Sequence, residues 1–260
     1  MWKNGKYGEW ALVTGASDGI GKSLAEELAK KGVNLVLVAR REAALIELGE
    51  KLARDHSIKF RAIAADVSAH GANASILEQT EDLDIGLLVA AAGFGSTGRF
   101  TQTSVENELN MIDVNCRAVV ELTHAMAHRL LTRGSGGIVL FGSLLGFQGV
   151  GNSANYSATK AFMQSFSEGL HIELKPAKID VLSCAPGQVE SGFASRASMA
   201  LSMHDKPQRV AKVSLAALGR QSTVRPGFVS KFFGYSLGML PRALRTRILT
   251  RIIGGLAEQG

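Results

Sequence analysis

Cysteine and proline are scarce in this 260-residue chain, which has two of the first and five of the second. Cys116 and Cys184 each sit inside an apolar run and share no metal-ligand spacing, so neither a disulfide framework nor a metal centre is expected. Such thiols suit a reducing cytoplasm. No run of about 18 apolar residues occurs, so no membrane-spanning helix is expected. The opening MWKNGKYGEWALVTG also lacks the apolar core of a secretory signal. Without a Pro/Ser-rich stretch, a low-complexity tract or a repeat, there is no linker at which to divide residues 1–260, and one domain is expected. Charge of one sign is not extreme either. A net charge of +6 fits an anionic small ligand as well as a membrane surface or nucleic acid. The nucleic-acid option lacks the aromatic or helix-turn-helix context that would raise it.

What the chain does contain is alternation. Apolar runs at 10–14, 34–39, 59–65, 84–91, 136–142 and 178–185 read as strands buried on both faces. Helical patterns lie between them at about 20–31, 41–55, 70–81, 104–132 and 154–174, and a further helix lies near 207–219. This order predicts an α/β Rossmann fold, a doubly wound parallel sheet of about seven strands flanked by helices.

Directly after the first strand comes TGASDGIG, residues 14–21. Glycines between a strand and a helix let the backbone turn sharply and approach a pyrophosphate, which the helix N-terminus then attracts. The spacing is G-x-x-x-G-x-G, with Gly15, Gly19 and Gly21 framing Ser17, Asp18 and Ile20. The second strand ends Ala39-Arg40-Arg41, where dinucleotide folds place a carboxylate for a ribose hydroxyl or an arginine for a 2′-phosphate. Arg40 is the expected phosphate ligand and Arg41 its support, although Arg41 also reads as the first residue of a solvated helix face. Asp18 argues the other way if its carboxylate points to the same place. NADP(H) is favoured over NAD(H).

Tyr156 and Lys160, in YSATK, stand one helical turn apart on one face, about 6 Å from each other. That spacing fits either a lysine lying along a half-buried aromatic ring or a phenol tuned by a fixed positive charge. Company favours chemistry. Asn115 lies in the stretch after the fourth strand, Ser143 at the end of the fifth, and Pro186-Gly187 beyond the sixth.

Taken together, TGxxxGxG, Asn115, Ser143, YxxxK and Pro186-Gly187 resemble the short-chain dehydrogenase/reductase family over nearly the whole chain. WALVTGASDGIGKSLAEELAKKGVNLVLVARR is similar to its 3-oxoacyl-CoA reductase and 17β-hydroxysteroid dehydrogenase subgroup. The resemblance implies that Tyr156 is the general acid/base and that Lys160 tunes it and binds ribose. Ser143 would steady the substrate oxygen and Asn115 would hold a proton-relay water; a structural kink or buried hydrogen bond is the other reading of Asn115. It further implies that Asp66 and Val67 meet the adenine, and that Pro186, Gly187, Val189 and Ser191 fix the nicotinamide amide. One departure stands out: the family's Asn-Asn-Ala-Gly is here Ala90-Ala91-Ala92-Gly93, so cofactor contact at Ala91, Ala92 and Gly93 proceeds without the amides that normally tie adjacent strands.

The resemblance further implies that residues 188–206 form a lid over the substrate. Its Phe193, Met199, Leu201 and Met203, with Phe94, Leu144, Leu145 and Phe147, describe either a hydrophobic substrate pocket or ordinary helix packing. The segment 230–256 mixes arginines with Phe, Leu and Ile, as an interfacial helix on anionic lipid would, or a surface helix with one buried face. The expected activity is carbonyl reduction or secondary-alcohol oxidation on a 3-oxoacyl thioester or steroid-like ketone. The alternative is a silent NADP(H)-binding sensor or scaffold. A homodimer or homotetramer built on the helices at 104–132 and 154–174 is expected by analogy.

Overall fold

A computed structural model describes residues 2–190, 205–227 and 239–257. Seven parallel strands form its sheet: β1 (Trp10–Thr14), β2 (Asn34–Ala39), β3 (Phe60–Ala64), β4 (Ile85–Ala90), β5 (Gly136–Phe141), β6 (Ile179–Cys184) and β7 (Thr223–Val224). Their spatial order is β3-β2-β1-β4-β5-β6-β7. The chain therefore reverses direction across the sheet between β1 and β4, where a crevice opens beyond the carboxyl ends of the strands.

Both faces of the sheet are apolar, which is why the strand sequences run without alternation. Ala11, Val13, Leu35 and Leu37 point to one core, with Leu24 and Leu28 of α1 (Gly19–Ala29) and Leu45 and Leu52 of α2 (Glu42–His56). Leu12, Val36, Leu88 and Ile138 point to the other. There they meet Ile76 of α3 (Ala72–Glu78), Leu122 and Met126 of α5 (Ala118–Arg133), and Met163 of α6 (Ala154–Leu174). Val210 and Leu215 of α7 (Pro207–Ala217) cover the first face beside α1.

The expected single helix at 104–132 is interrupted. α4 (Val105–Ile112) leads into a π-helical turn at Asp113–Arg117 before α5 begins. The extra residue in that turn swings Asn115 inward, where it is 1% exposed. The last helix, α8 (Arg242–Ala257), lies in the expected basic segment. Its Leu249 is buried against Val150, with Leu145, Ile248 and Ile252 packed around them, and Gly151 N donates to Thr250 Oγ1 at 2.8 Å. Ile248, Leu249 and Ile252 thus face the protein, whereas Leu244 is 43% exposed. Among the described residues no helix is long and apolar enough to cross a membrane.

Candidate active site

The glycine loop is shaped by backbone that only glycine adopts easily. Gly15 and Gly19 have φ of +67° and +55°. A Cβ on Gly21 would stand 2.3 Å from Gly15 O, so this residue must be glycine for helix α1 to close on the turn. Asp18 caps that helix, its Oδ1 accepting from Gly19 N at 2.7 Å, so it serves the helix terminus. Ile20 packs against the core and anchors the first turn. Arg41 Nη2 donates to Ser17 O at 3.0 Å and Ser17 Oγ at 3.3 Å, clasping the loop to the end of β2. Arg40 is exposed. Its charge helps hold the Asp66 carboxyl below the usual carboxylate range: burial works against ionisation there, and hydrogen bonds from the Ser68 hydroxyl and N–H outweigh it. Val67 is buried next to it.

Where the family's amides are absent after β4, a tie to β1 is present. Ala92 N donates to Thr14 Oγ1 at 3.1 Å, so a threonine hydroxyl performs the strand-to-strand tie. The backbone of Ala91 and Ala92 passes within 2.9 Å of where a Cβ on Gly15 would lie. Gly93 sits close to two polar groups, since an added Cβ would be 3.0 Å from Asn115 Oδ1 and 3.6 Å from Lys160 Nζ. Asn115 clamps the following backbone at both atoms: Oδ1 accepts from Phe94 N at 3.1 Å and Nδ2 donates to Phe94 O at 2.8 Å. Nδ2 also donates to Thr159 Oγ1 at 3.1 Å, joining the π-helical turn to α6. The buried-hydrogen-bond reading of Asn115 is therefore realised.

Ser143 follows β5 and is 7% exposed, as are Tyr156 and Lys160. Ser143 Oγ accepts from Leu145 N at 3.2 Å and is hydrogen-bonded to the Tyr156 phenol. Lys160 Nζ donates to Phe141 O at 3.0 Å and lies 5.7 Å from the centre of the Tyr156 ring. The expectation that lysine lowers the phenol's pKa needs correction. Burial pushes Tyr156 up to about 12, and the Ser143 hydrogen bond opposes it. Burial also pulls Lys160 down to about 8, with the neighbouring Cys116 and Cys184 thiols resisting. Desolvation disfavours the charged form of each and is the largest influence on both.

Beyond β6, Leu144 N donates to Pro186 O at 2.9 Å, fixing the Pro186-Gly187 turn beside Ser143. Val189 bridges to Asp205, with Asp205 N donating to Gln188 O at 3.0 Å and Glu190 N to Asp205 O at 3.1 Å. Residues 188–190 are thereby joined to Asp205. Ser191, Phe193, Met199, Leu201 and Met203 lie outside the described residues. Of the other expected pocket residues, Leu145 packs towards α8 and the Phe147 ring lies 4.3 Å from the Arg225 guanidinium. Thr14, Glu108, Asn155 and Thr159 were not picked out by sequence reasoning. Thr14 alone carried a signal, as a hydroxyl at a strand end facing a run of alanines.

Comparison with known proteins fits this geometry. The short chain dehydrogenase family model matches residues 9–201. The chain belongs to the short-chain dehydrogenase family. A 7beta-hydroxysteroid dehydrogenase of Clostridium sardiniense is 31% identical over 239 residues, spanning 91% of this chain and 88% of that one. A very-long-chain 3-oxoacyl-CoA reductase of Neurospora crassa is 38% identical over 184 residues, 69% of this chain and 55% of the relative. Among solved structures, one described as giving insight into 7beta-hydroxysteroid dehydrogenase stereoselectivity superposes with a TM-score of 0.87 at 25% identity, covering 96% and 99% of the two chains. A short-chain dehydrogenase from Sphingobium yanoikuyae in complex with NADPH gives 0.79 at 29% identity, covering 90% and 97%. This short-chain dehydrogenase is thus an oxidoreductase by family, with relatives named for hydroxysteroids and for 3-oxoacyl-CoA.

Proposed function

We propose that this short-chain dehydrogenase uses NADP(H) to interconvert a ketone and a secondary alcohol on a bulky, largely apolar substrate of the hydroxysteroid or 3-oxoacyl thioester kind. One observation carries the reading: the Ser143 hydroxyl is bonded to the Tyr156 phenol, with Lys160 one turn below, at the carboxyl edge of the sheet and next to Gly93. Burial keeps Tyr156 protonated at neutral pH, so its hydroxyl carries the proton that a carbonyl oxygen would receive. Ser143 donates a hydrogen bond to the same oxygen as negative charge develops there. Lys160 stands where its ammonium favours the phenolate that proton donation leaves, and a pKa near 8 lets it pass on a proton in turn. Asn115 holds the backbone at Phe94 and α6 at Thr159, keeping Tyr156 and Gly93 in register; a relay water beside it is part of the proposal.

NADP(H), when bound, supplies or takes up the hydride. Gly15, Ser17, Gly19, Ile20 and Gly21 would hold its pyrophosphate, since a backbone cradle that a Cβ would fill lies at the N-terminus of α1. Arg40, steadied by the Arg41 clasp on Ser17, would take the 2′-phosphate where β2 ends without a carboxylate. Asp66 and Val67 would flank the adenine, Ala91, Ala92 and Gly93 the adjoining ribose, and Pro186, Gly187, Val189 and Ser191 the nicotinamide amide. The solved NADPH complex of a relative supports the choice of cofactor. Outward-facing Val105 and Leu109 on α4, with Phe162 and Ile172 on α6, support pairing of copies through these helices.

An NADPH-oxidation assay against steroid ketones, 3-oxoacyl thioesters, quinones and small ketones tests the reading. Turnover of a bulky ketone is the expected result. NADPH binding without turnover of any carbonyl would replace it with a silent nucleotide-binding scaffold.

A further inference from the structure

Helix α4 is turned against its own pattern. Val105, Leu109 and Ile112 lie outward at 60%, 57% and 42% exposure, while Glu108 points inward at 7%. Glu108 Oε1 accepts from Ser96 Oγ at 3.2 Å and Oε2 accepts from Asn155 Nδ2 at 2.7 Å. Asn155 Nδ2 also donates to the Glu108 carbonyl oxygen at 2.9 Å. Both neighbours donate, so the carboxyl acts here as an acceptor. The two carboxyl oxygens have acceptor positions to spare, since these side-chain contacts use one on each. Glu108 forms no ion pair with a cation among the described residues.

The carboxyl borders a small open pocket of about 30 Å³ whose wall also includes Ser96, Gly98, Phe100, Asn152 and Tyr156. Its spare acceptor capacity and the proposed proton donor therefore share one space. Each carboxyl oxygen already has one donor, and a substrate hydroxyl entering the pocket could add a second. A substrate of the same shape without the donor forgoes that bond, and so is disfavoured.

We infer that Glu108 determines specificity by accepting a hydrogen bond from a hydroxyl group on the substrate, whose carbonyl is held by Ser143 and Tyr156. The substrate is then an amphipathic ketone, bulky and apolar in body but hydroxylated within reach of α4. This inference rests on the proposed function and narrows it. Asn155 immediately precedes Tyr156, so the same carboxyl joins substrate recognition to the helical turn that bears the acid.

The test is a positional series of mono-hydroxylated steroid ketones, each measured against its parent ketone by NADPH oxidation. For wild-type protein at least one hydroxyl position should raise kcat/KM about tenfold, as expected for a hydrogen bond made in a buried site. Glu108→Gln should cut that gain to a few-fold and Glu108→Met should erase it, mainly through KM, with thermal melts confirming folded protein. Equal losses on hydroxylated and parent ketones would reduce Glu108 to a strap between α4 and α6 and overturn the inference. So would wild-type turnover of parent ketones with no gain from any hydroxyl. Absence of turnover with every ketone would overturn the proposed function and this inference with it.

Discussion

Lys160 keeps an ammonium group at a position 7% exposed, and burial lowers its pKa to about 8. Methionine is of similar length and carries no charge. The gap between the ordinary lysine value and about 8 corresponds to about 3 kcal/mol, at about 1.4 kcal/mol for each tenfold change in proton affinity. Lys160→Met removes that penalty but also the 3.0 Å hydrogen bond to Phe141 O, worth about 1 kcal/mol. The variant should therefore be more stable than wild type by about 1–2 kcal/mol at pH 7 while losing activity. The pH dependence has a definite sign. Below about 8 the lysine is charged in both folded and unfolded chains, and the full penalty applies. Above that point the folded chain releases its proton first, so wild-type stability rises with pH until the unfolded lysine also deprotonates. Urea midpoints measured for both proteins at pH 7, 8.5 and 10 should show the variant's lead shrinking towards zero. A variant less stable than wild type at pH 7, with a difference independent of pH, would refute the reasoning.

Three further outcomes are expected. Arg40→Ala should weaken NADPH binding about tenfold or more, as loss of a charge-assisted phosphate contact does, with NADH binding little changed; titration of both nucleotides checks this, and equal losses would count against the 2′-phosphate role. Thr14→Val strips the acceptor from Ala92 N and should cost about 1–3 kcal/mol, read as a lowered urea midpoint; an unchanged midpoint would show that the strand tie is unimportant. Leu249→Ala opens a cavity beneath α8 and should cost about 2–5 kcal/mol in the region it covers, seen as faster proteolysis near residues 242–257; protection equal to wild type would mean that the helix is held elsewhere.

Most of the fold was legible because the strands are buried on both faces and the helices between them are periodic. The WALVT strand and the helix at 154–174 appear with the bounds their apolar patterns imply. The π-helical turn escaped because Val114, Val119 and Val120 continue a helical pattern through it, and one extra residue per turn leaves no mark on composition. β7 is only two residues long, too short for any periodicity. Gly15, Gly21, Ser143, Tyr156 and Lys160 could be named from sequence because each belongs to a short motif in fixed order. Glu108 could not, since Val105, Leu109 and Ile112 mark the opposite face of α4 as the apolar one. The direction of the Tyr156 shift was hidden for a related reason. Spacing gives the distance between two groups but not the desolvation that both undergo, and here desolvation is the larger effect.

The central claim is that the Tyr156 phenol delivers a proton to a substrate carbonyl beside a bound NADP(H). Single-turnover NADPH oxidation by Tyr156→Phe, compared with wild type on the best ketone found, tests it most directly. The account predicts a rate lower by about 100-fold to 10,000-fold, the range that general acid catalysis contributes, with NADPH affinity nearly intact. Oxidation within about tenfold of the wild-type rate would contradict it, because a loss below about 100-fold is too small for removal of the general acid.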